Sequence, residues 1–327
     1  MVTNMKKYIF LYAVCILSVI IIPLISGSRS LISEDMRYTH GRHTSDRKIT
    51  AYIKSEDKVI ETNLEEYLYG VVSAEMPASF PLEALKAQAV AARTFAVNRI
   101  ENGTEKETKH KGADVCTDPA HCKAWISMEN RLARWDEKDR ETYKKKIIAA
   151  VDDTQGIIMT YGGKPITAVF YAISSGKTEN SKDVWGGDLP YLKSVSSPYD
   201  KNAPGYASSA EFSLDEFKSR ISAEYKNADF SGSPSAWYKN EKRSEGGAVI
   251  SCEVGGVEIK GTKMRTLFNL RSHNYTLSLT DKAVFSVKGY GHGVGMSQWG
   301  AKFYAEEGKN YRDILRIYYS GIDFDSY

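Results

Sequence analysis

Between Pro81 and Gly103 the chain carries one uninterrupted helical signal, LEALKAQAVAARTFAVNRI, rich in alanine, leucine and glutamine. These residues lose little conformational freedom in a helix, so this stretch predicts the clearest helix of the molecule. Pro81 suits its first turn, and Gly103 after Asn102 suits its end. Upstream, Asn63 opens Asn-Leu-Glu-Glu, an N-cap with Glu66 three residues on. Leu64, Leu68, Val71 and Val72 then fit a short helix running to Met76, which Pro77 ends.

Other segments read more coarsely. Residues 48–60 alternate and turn, which predicts a hairpin. A further helix is predicted over 127–153, closed by Gly156. Beyond it GIIMTY, a Gly162-Gly163 turn and PITAVFYA read as strands. Residues 213–227 read as helix and 232–236 as loop. The chain to 288 reads as mostly extended, 289–300 as a Gly-rich loop, and 311–319 as a last helix. Helices precede strands, so the expected class is α+β. The arrangement expected is helices in the N-terminal half packed on mostly antiparallel strands of the C-terminal half, with an active-site cleft.

The N-terminus constrains where this domain works. Lys6 and Lys7 precede an uncharged run, Tyr8 to Ile25, followed by Ser26-Gly27-Ser28-Arg29. A basic flank before an apolar run of that length reads as a secretory signal or signal anchor. A retained anchor keeps residues 1–7 cytoplasmic, spans the membrane with 8–25 and continues as a tether over 26–47. Residues 48–327 then form an extracytoplasmic domain. Three of the 44 bases and none of the 41 acids precede residue 31, leaving 41 against 41 for the remainder. Bulk charge therefore offers no basic excess, and no nucleic-acid partner is expected.

Three groups of residues carry chemistry. His110, Cys116, His121 and Cys122 fall within thirteen residues. Two thiolates and two imidazoles form the ligand set of a structural zinc site, whereas a Cys116–Cys122 disulfide suits an exported protein. The pattern leaves both open. Glu75 ends an apolar run at a helix break, where partial desolvation would raise its carboxyl pKa toward that of a general acid. An ordinary surface glutamate fits the same pattern, and Glu65 and Glu66 read as helix N-terminal charges. Gln88 and Arg93 present polar groups on the Ala-rich helix. Tyr171 and Ser174-Ser175-Gly176 end a strand without a G-x-S-x-G motif, so hydrogen bonding is expected of them rather than covalent catalysis. The loop GYGHGVGMSQWG fits neither a dinucleotide fingerprint nor a P-loop. It reads as a tight loop presenting His292, Ser297 and Gln298, with Trp299 against the core or a sugar.

Four stretches together resemble the stage II sporulation protein D family of lytic transglycosylases. They are EMPASFPLEALKAQAVAARTFAV at 75–97, AVFYAISSGKTENSKDVWGGDLPYLKSV at 168–195, KMRTLFNLRS at 263–272 and GHGVGMSQWGA at 291–301. The resemblance implies that Glu75 is the catalytic acid/base, and that His110, Cys116, His121 and Cys122 hold one structural Zn2+. It implies substrate contacts from Tyr171 and Ser175, and Gln88, Arg93, Ser297 and Gln298 complete the expected substrate-binding set. The implied reaction cleaves the bond between N-acetylmuramic acid (MurNAc) and N-acetylglucosamine (GlcNAc) in peptidoglycan, leaving a 1,6-anhydro end, preferably on stem-free glycan. It further implies work during engulfment in sporulation, on the mother-cell side of the septum, in complex with a wall amidase and a multispan membrane protein. A zinc peptidase or amidase, and a wall-binding scaffold without activity, are the competing readings of the residues.

Overall fold

The computed structural model describes residues 47–103 and 109–327. The expected anchor and tether lie outside the described residues. Among the described residues no helix is long and apolar enough to cross a membrane.

The predicted hairpin forms as β1 (Lys48–Ile53) and β2 (Lys58–Asn63), paired antiparallel. Asn63 then caps α1 (Leu64–Glu75), its side-chain oxygen accepting from the Glu65 N–H at 2.8 Å. After the proline turn, α2 (Leu82–Asn102) runs through the core, with Ala84, Ala87, Ala89 and Ala91 fully buried. Its small side chains let neighbouring elements approach closely, and α1 packs along it. β3 (Val115–Cys116) pairs parallel with β1. The single helix predicted over 127–153 is two: α3 (Met128–Leu132), capped by Ser127, and α4 (Glu137–Asp152). Asp136, which precedes α4, has ψ 137° and so cannot continue a helix.

β4 (Ile157–Tyr161), β5 (Lys164–Pro165), β6 (Phe170–Tyr171) and α5 (Ser181–Trp185) follow. A second apolar cluster begins with β7 (Ala207–Ser213) and α6 (Leu214–Glu224). It continues with β8 (Tyr238–Arg243), β9 (Val249–Val254), β10 (Val257–Lys260), α7 (Gly261–Leu267), β11 (Tyr275–Leu279) and β12 (Lys282–Lys288). These strands make two antiparallel sheets, ordered β10-β9-β8 and β11-β12-β7. Phe217 stacks on Phe268 at 5.1 Å between them. α7 interrupts the stretch expected to be extended. It starts at Gly261, where a Cβ would lie 1.8 Å from the Val249 carbonyl oxygen, so only glycine admits this approach.

β13 (Met296–Ser297) then returns to pair parallel with β6. α8 (Gln298–Glu306) and α9 (Tyr311–Tyr318) both pack on α2 before β14 (Asp323–Ser326) pairs with β4. The fold is α+β, and its helices are not confined to the first half.

One buried ion pair ties the helical part together. Arg93 on α2 is 0% exposed. It donates through Nε and Nη2 to Glu65 on α1 at 2.9 and 2.6 Å, and to the carbonyls of Val151 and Ile157 at 3.1 and 3.3 Å. Glu65 also accepts from the Tyr327 hydroxyl at 2.9 Å. Arg93 is therefore a core tie, with its guanidinium occupied inside the protein rather than offered to a substrate. Glu65 likewise does more than charge a helix terminus. Breaking a buried pair leaves an uncompensated charge and costs about 3–5 kcal/mol. Arg93→Ala is expected to lose stability of that order in a denaturant titration, with Glu65→Ala similar and the double variant losing less than the sum.

Candidate active site

Glu75 is the last residue of α1. Met76 takes an extended conformation, which ends the helix there. The carboxyl group is half-buried and meets the 122–124 segment: the Ala124 N–H donates to its Oε1 at 2.7 Å. Burial pushes the Glu75 carboxyl above its ordinary pKa, while the Lys123 charge, the Ala124 N–H and the Gln298 amide pull it back. Lys123 is itself buried, its ammonium 3.8 Å from the Phe170 ring centre and 4.6 Å from that of Phe95. Burial lowers its pKa to about 8, with the Glu75 charge as the main counterweight. The ring faces and the Glu75 charge favour the ammonium electrostatically, against the cost of its burial.

Gln298 reaches this group from the start of α8 and also donates to the Gln88 Oε1 on α2 at 3.2 Å. Gln88 is 0% exposed. It therefore fixes the Gln298 amide instead of meeting solvent, and Gln298 is the amide that touches Glu75. The arrangement joins α1, α2, α8 and the 122–124 segment around one carboxyl.

The Cys/His residues lie immediately before that segment. His110, Cys116, His121 and Cys122 bring their ligand atoms within 4.8 Å of one another. His110 Nε2 lies 3.0 Å from His121 Nδ1 and 3.3 Å from Cys122 Sγ, and Cys116 Sγ lies 3.5 Å from His121 Nδ1. A tetrahedron with ordinary Zn–N and Zn–S bond lengths has edges of roughly 3.3–3.8 Å, so the donor set fits a zinc ion and small side-chain shifts would bring the 3.0 Å His110–His121 separation to that spacing. Cys116 and Cys122 are free thiols, without the alternative disulfide. β3 positions Cys116 by pairing with β1, and Asp118 accepts the amides of His121 and Cys122 on its backbone carbonyl at 3.0 and 2.8 Å.

Tyr171 and Ser175 belong to a neighbouring group. Tyr171 is buried against His292, ring centres 5.4 Å apart, and the Ser175 hydroxyl accepts from Asn274 Nδ2 at 3.0 Å. With Glu179 and His273 they line a cavity of about 10 Å3, room for about one water and too small for a sugar ring. The glycine loop closes over it. Gly291 (φ +121°) would place a Cβ 2.6 Å from that of Tyr171, and Gly293 (φ +84°) one 2.7 Å from Glu179 Cγ. His292, held by the Phe170 carbonyl at 3.1 Å, links this group to the ring beneath Lys123. Ser297 is 0% exposed. It caps α8, accepting from the Gly300 N–H at 3.2 Å, and hydrogen-bonds with buried Asp200. That makes Ser297 part of the core wiring, its hydroxyl already engaged inside the protein. Trp299 is half-buried and packs edge-on against Phe80 at 4.9 Å, on the side of the core.

A family model described as Stage II sporulation protein matches residues 52–161. Over 276 residues the chain is 39% identical to the stage II sporulation protein D of Bacillus amyloliquefaciens, covering 84% of this chain and 78% of that protein. The chain belongs to the stage II sporulation protein D family. The protein of the same description from Bacillus subtilis (strain 168) is 38% identical over 274 residues, covering 84% and 77%. An amidase enhancer from the same Bacillus subtilis strain is 27% identical over 310 residues, covering 80% of this chain and 40% of its own length. This is thus a sporulation protein, and the family match encloses Glu75, Lys123 and all four Cys/His residues.

Lys123 of the site and Glu65 of the core tie both lack a clear signal of their role in the sequence. Lys123 looks like any lysine in a polar loop, and its one signal is adjacency to Cys122. Glu65 is hidden because its partner lies 28 positions away.

Proposed function

We propose that this protein is a lytic transglycosylase that cleaves the MurNAc–GlcNAc bond of peptidoglycan, with Glu75 as its single acid/base. The observation that carries this reading is the half-buried Glu75 carboxyl, whose raised pKa is set by burial against a cation, an amide N–H and a glutamine. Protonated, Glu75 donates to the glycosidic oxygen as the C1–O bond breaks. The resulting carboxylate, favoured by Lys123 and the Ala124 N–H, then takes the proton of the muramic acid C6 hydroxyl. That oxygen closes on C1 and leaves the 1,6-anhydro end, with no water consumed. Glycosidases that hydrolyse the bond ordinarily need two carboxyl groups, whereas this route needs one group that cycles between its two states. Gln298 orients the carboxyl and Gln88 holds Gln298. Tyr171 and Ser175 act from behind, by supporting the glycine loop.

The zinc proposal follows the same geometry. His110, Cys116, His121 and Cys122 would hold one Zn2+ with every coordination position filled, so the ion supplies folding energy and no activated water. Its place in the mechanism is to fix the loop that carries Lys123 and Ala124 against Glu75. The membrane anchor, the engulfment role on the mother-cell side and the assembly with a wall amidase and a multispan membrane protein complete the proposal. The likeness to a protein described as an amidase enhancer supports a role beside wall amidases.

Two tests follow. Glu75→Gln should abolish release of anhydro ends from stem-free glycan, read by mass spectrometry, and wild-type rates in this variant would refute the assignment. A carboxyl whose folded pKa is raised contributes stability at low pH that is lost as pH rises through that pKa. The glutamine variant should therefore unfold at no lower temperature than the wild type at pH 7. For the metal, purified protein should contain about one zinc per chain. Cys116→Ser should lose the metal, melt earlier and lose activity, whereas a metal-free Cys116–Cys122 disulfide in active protein would refute the zinc site.

A further inference from the structure

A groove of about 480 Å3 opens beside His292, between α5 and α7. Its volume lies in the range of small-ligand sites, about 300–1,000 Å3. One wall carries Trp185, the last residue of α5, which is 49% exposed and rests against His292 with ring centres 5.2 Å apart. The opposite wall is α7 and the turn after it, presenting Thr262, Arg265, Thr266 and Asn269.

Arg265 distinguishes this groove. Its Nε donates to the Leu270 carbonyl at 3.2 Å, which fixes the plane of the guanidinium. Its two terminal nitrogens make no hydrogen bond among the described residues, and no carboxylate pairs with it. Arg93, Arg220 and Arg243, by contrast, pair with Glu65, Glu216 and Glu241. No acidic residue lines the groove. Asp183, on the same short helix as Trp185, is engaged by Asn180 at 3.0 Å. The two histidines in the walls are held neutral by burial, with pKa values lowered to about 4 for His273 and about 3 for His292. Arg265 is thus the one charged group of the lining, half-buried, planar and unanswered.

A fork of this kind matches a carboxylate through two parallel N–H···O bonds, and partial desolvation strengthens them. Beside it stand an exposed indole face, two hydroxyls and an amide, the partners that a sugar ring with hydroxyl and acetamido groups takes. The ligand that answers both is an acidic sugar. In the glycan of the proposed reaction GlcNAc is neutral, and muramic acid bears a lactyl ether. That lactyl carboxyl is an amide while the peptide stem is attached and a free carboxylate once the stem is removed. We propose that the groove between Trp185 and Arg265 binds the free lactyl carboxylate of a stem-free muramic acid, so that Arg265 selects glycan from which the stem has been cut. Between the groove and Glu75 lie the packed side chains of His292, Phe170 and Lys123. Arg265 touches substrate at a distance from the scissile bond, and the inference rests on the glycan-cleaving reading for its choice of ligand.

The test is a binding measurement on full-length Glu75→Gln protein, which prevents turnover. The probes are a stem-free GlcNAc–MurNAc tetrasaccharide, the same glycan with its lactyl groups converted to methylamides, and a free stem tetrapeptide. Loss of a hydrogen-bonded charged partner predicts at least about tenfold weaker binding of the amidated glycan. Arg265→Gln, added to the same background, should bring the two glycans to near parity, and added salt should weaken only the acidic one. Equal binding of both glycans before Arg265 is altered would overturn the proposal, and this comparison needs no variant of the groove. So would a preference that survives Arg265→Gln, or Arg265-dependent capture of the stem peptide instead of the glycan. Cleavage is read separately with native Glu75. Absence of anhydro ends together with an intact carboxylate preference would remove the cleavage reading and leave the binding site standing.

Discussion

The buried pair between Glu65 and Arg93 is the constraint on which the rest of the helical part is hung. It joins α1 to α2, donates to the carbonyls of Val151 at the end of α4 and Ile157 at the start of β4, and accepts from the Tyr327 hydroxyl. An arginine with no exposure is tolerable only when nearly every N–H has an acceptor. This one has a carboxylate, two carbonyls and the Thr154 hydroxyl. The consequence for the site is indirect but strong. Glu75 lies at the far end of α1 from Glu65, so the pair fixes the helix whose last side chain is the proposed acid/base.

What surrounds Glu75 is then a balance of opposed effects. Burial raises the carboxyl's pKa, which favours a proton donor over an acceptor. Lys123 and the Ala124 N–H favour the ionised form. A group that must give a proton and take one back needs both influences at moderate strength. The Cys/His group bears on this balance, because Cys122 directly precedes Lys123 and Ala124. In the proposed reading, a metal clamp on the loop would set the distance between cation and carboxylate without joining the reaction.

Local features of the fold were legible in the sequence. α1, α2 and the first hairpin follow from caps, proline turns and residue periodicity within a few positions. Legibility fails where contacts are remote. Arg93 reads as a surface guanidinium until Glu65 is found beneath it, and Ser297 reads as a presented hydroxyl until Asp200 is found behind it. The glycine run conceals the start of α8 at Gln298, since glycine is a poor helix former whose role here is to fold the loop onto Tyr171 and Glu179. α7 hides in a stretch rich in strand signals because Gly261 must approach Val249. The candidate acid came from family resemblance, and its partner Lys123 came only from the structure.

The central claim is that one carboxyl group does both halves of the reaction with no water consumed. The direct test digests stem-free glycan with the native chain in water enriched in oxygen-18 and examines the new ends by mass spectrometry. The account predicts 1,6-anhydro-muramic ends that carry no label. Reducing ends bearing oxygen-18 would mean hydrolysis and would contradict it.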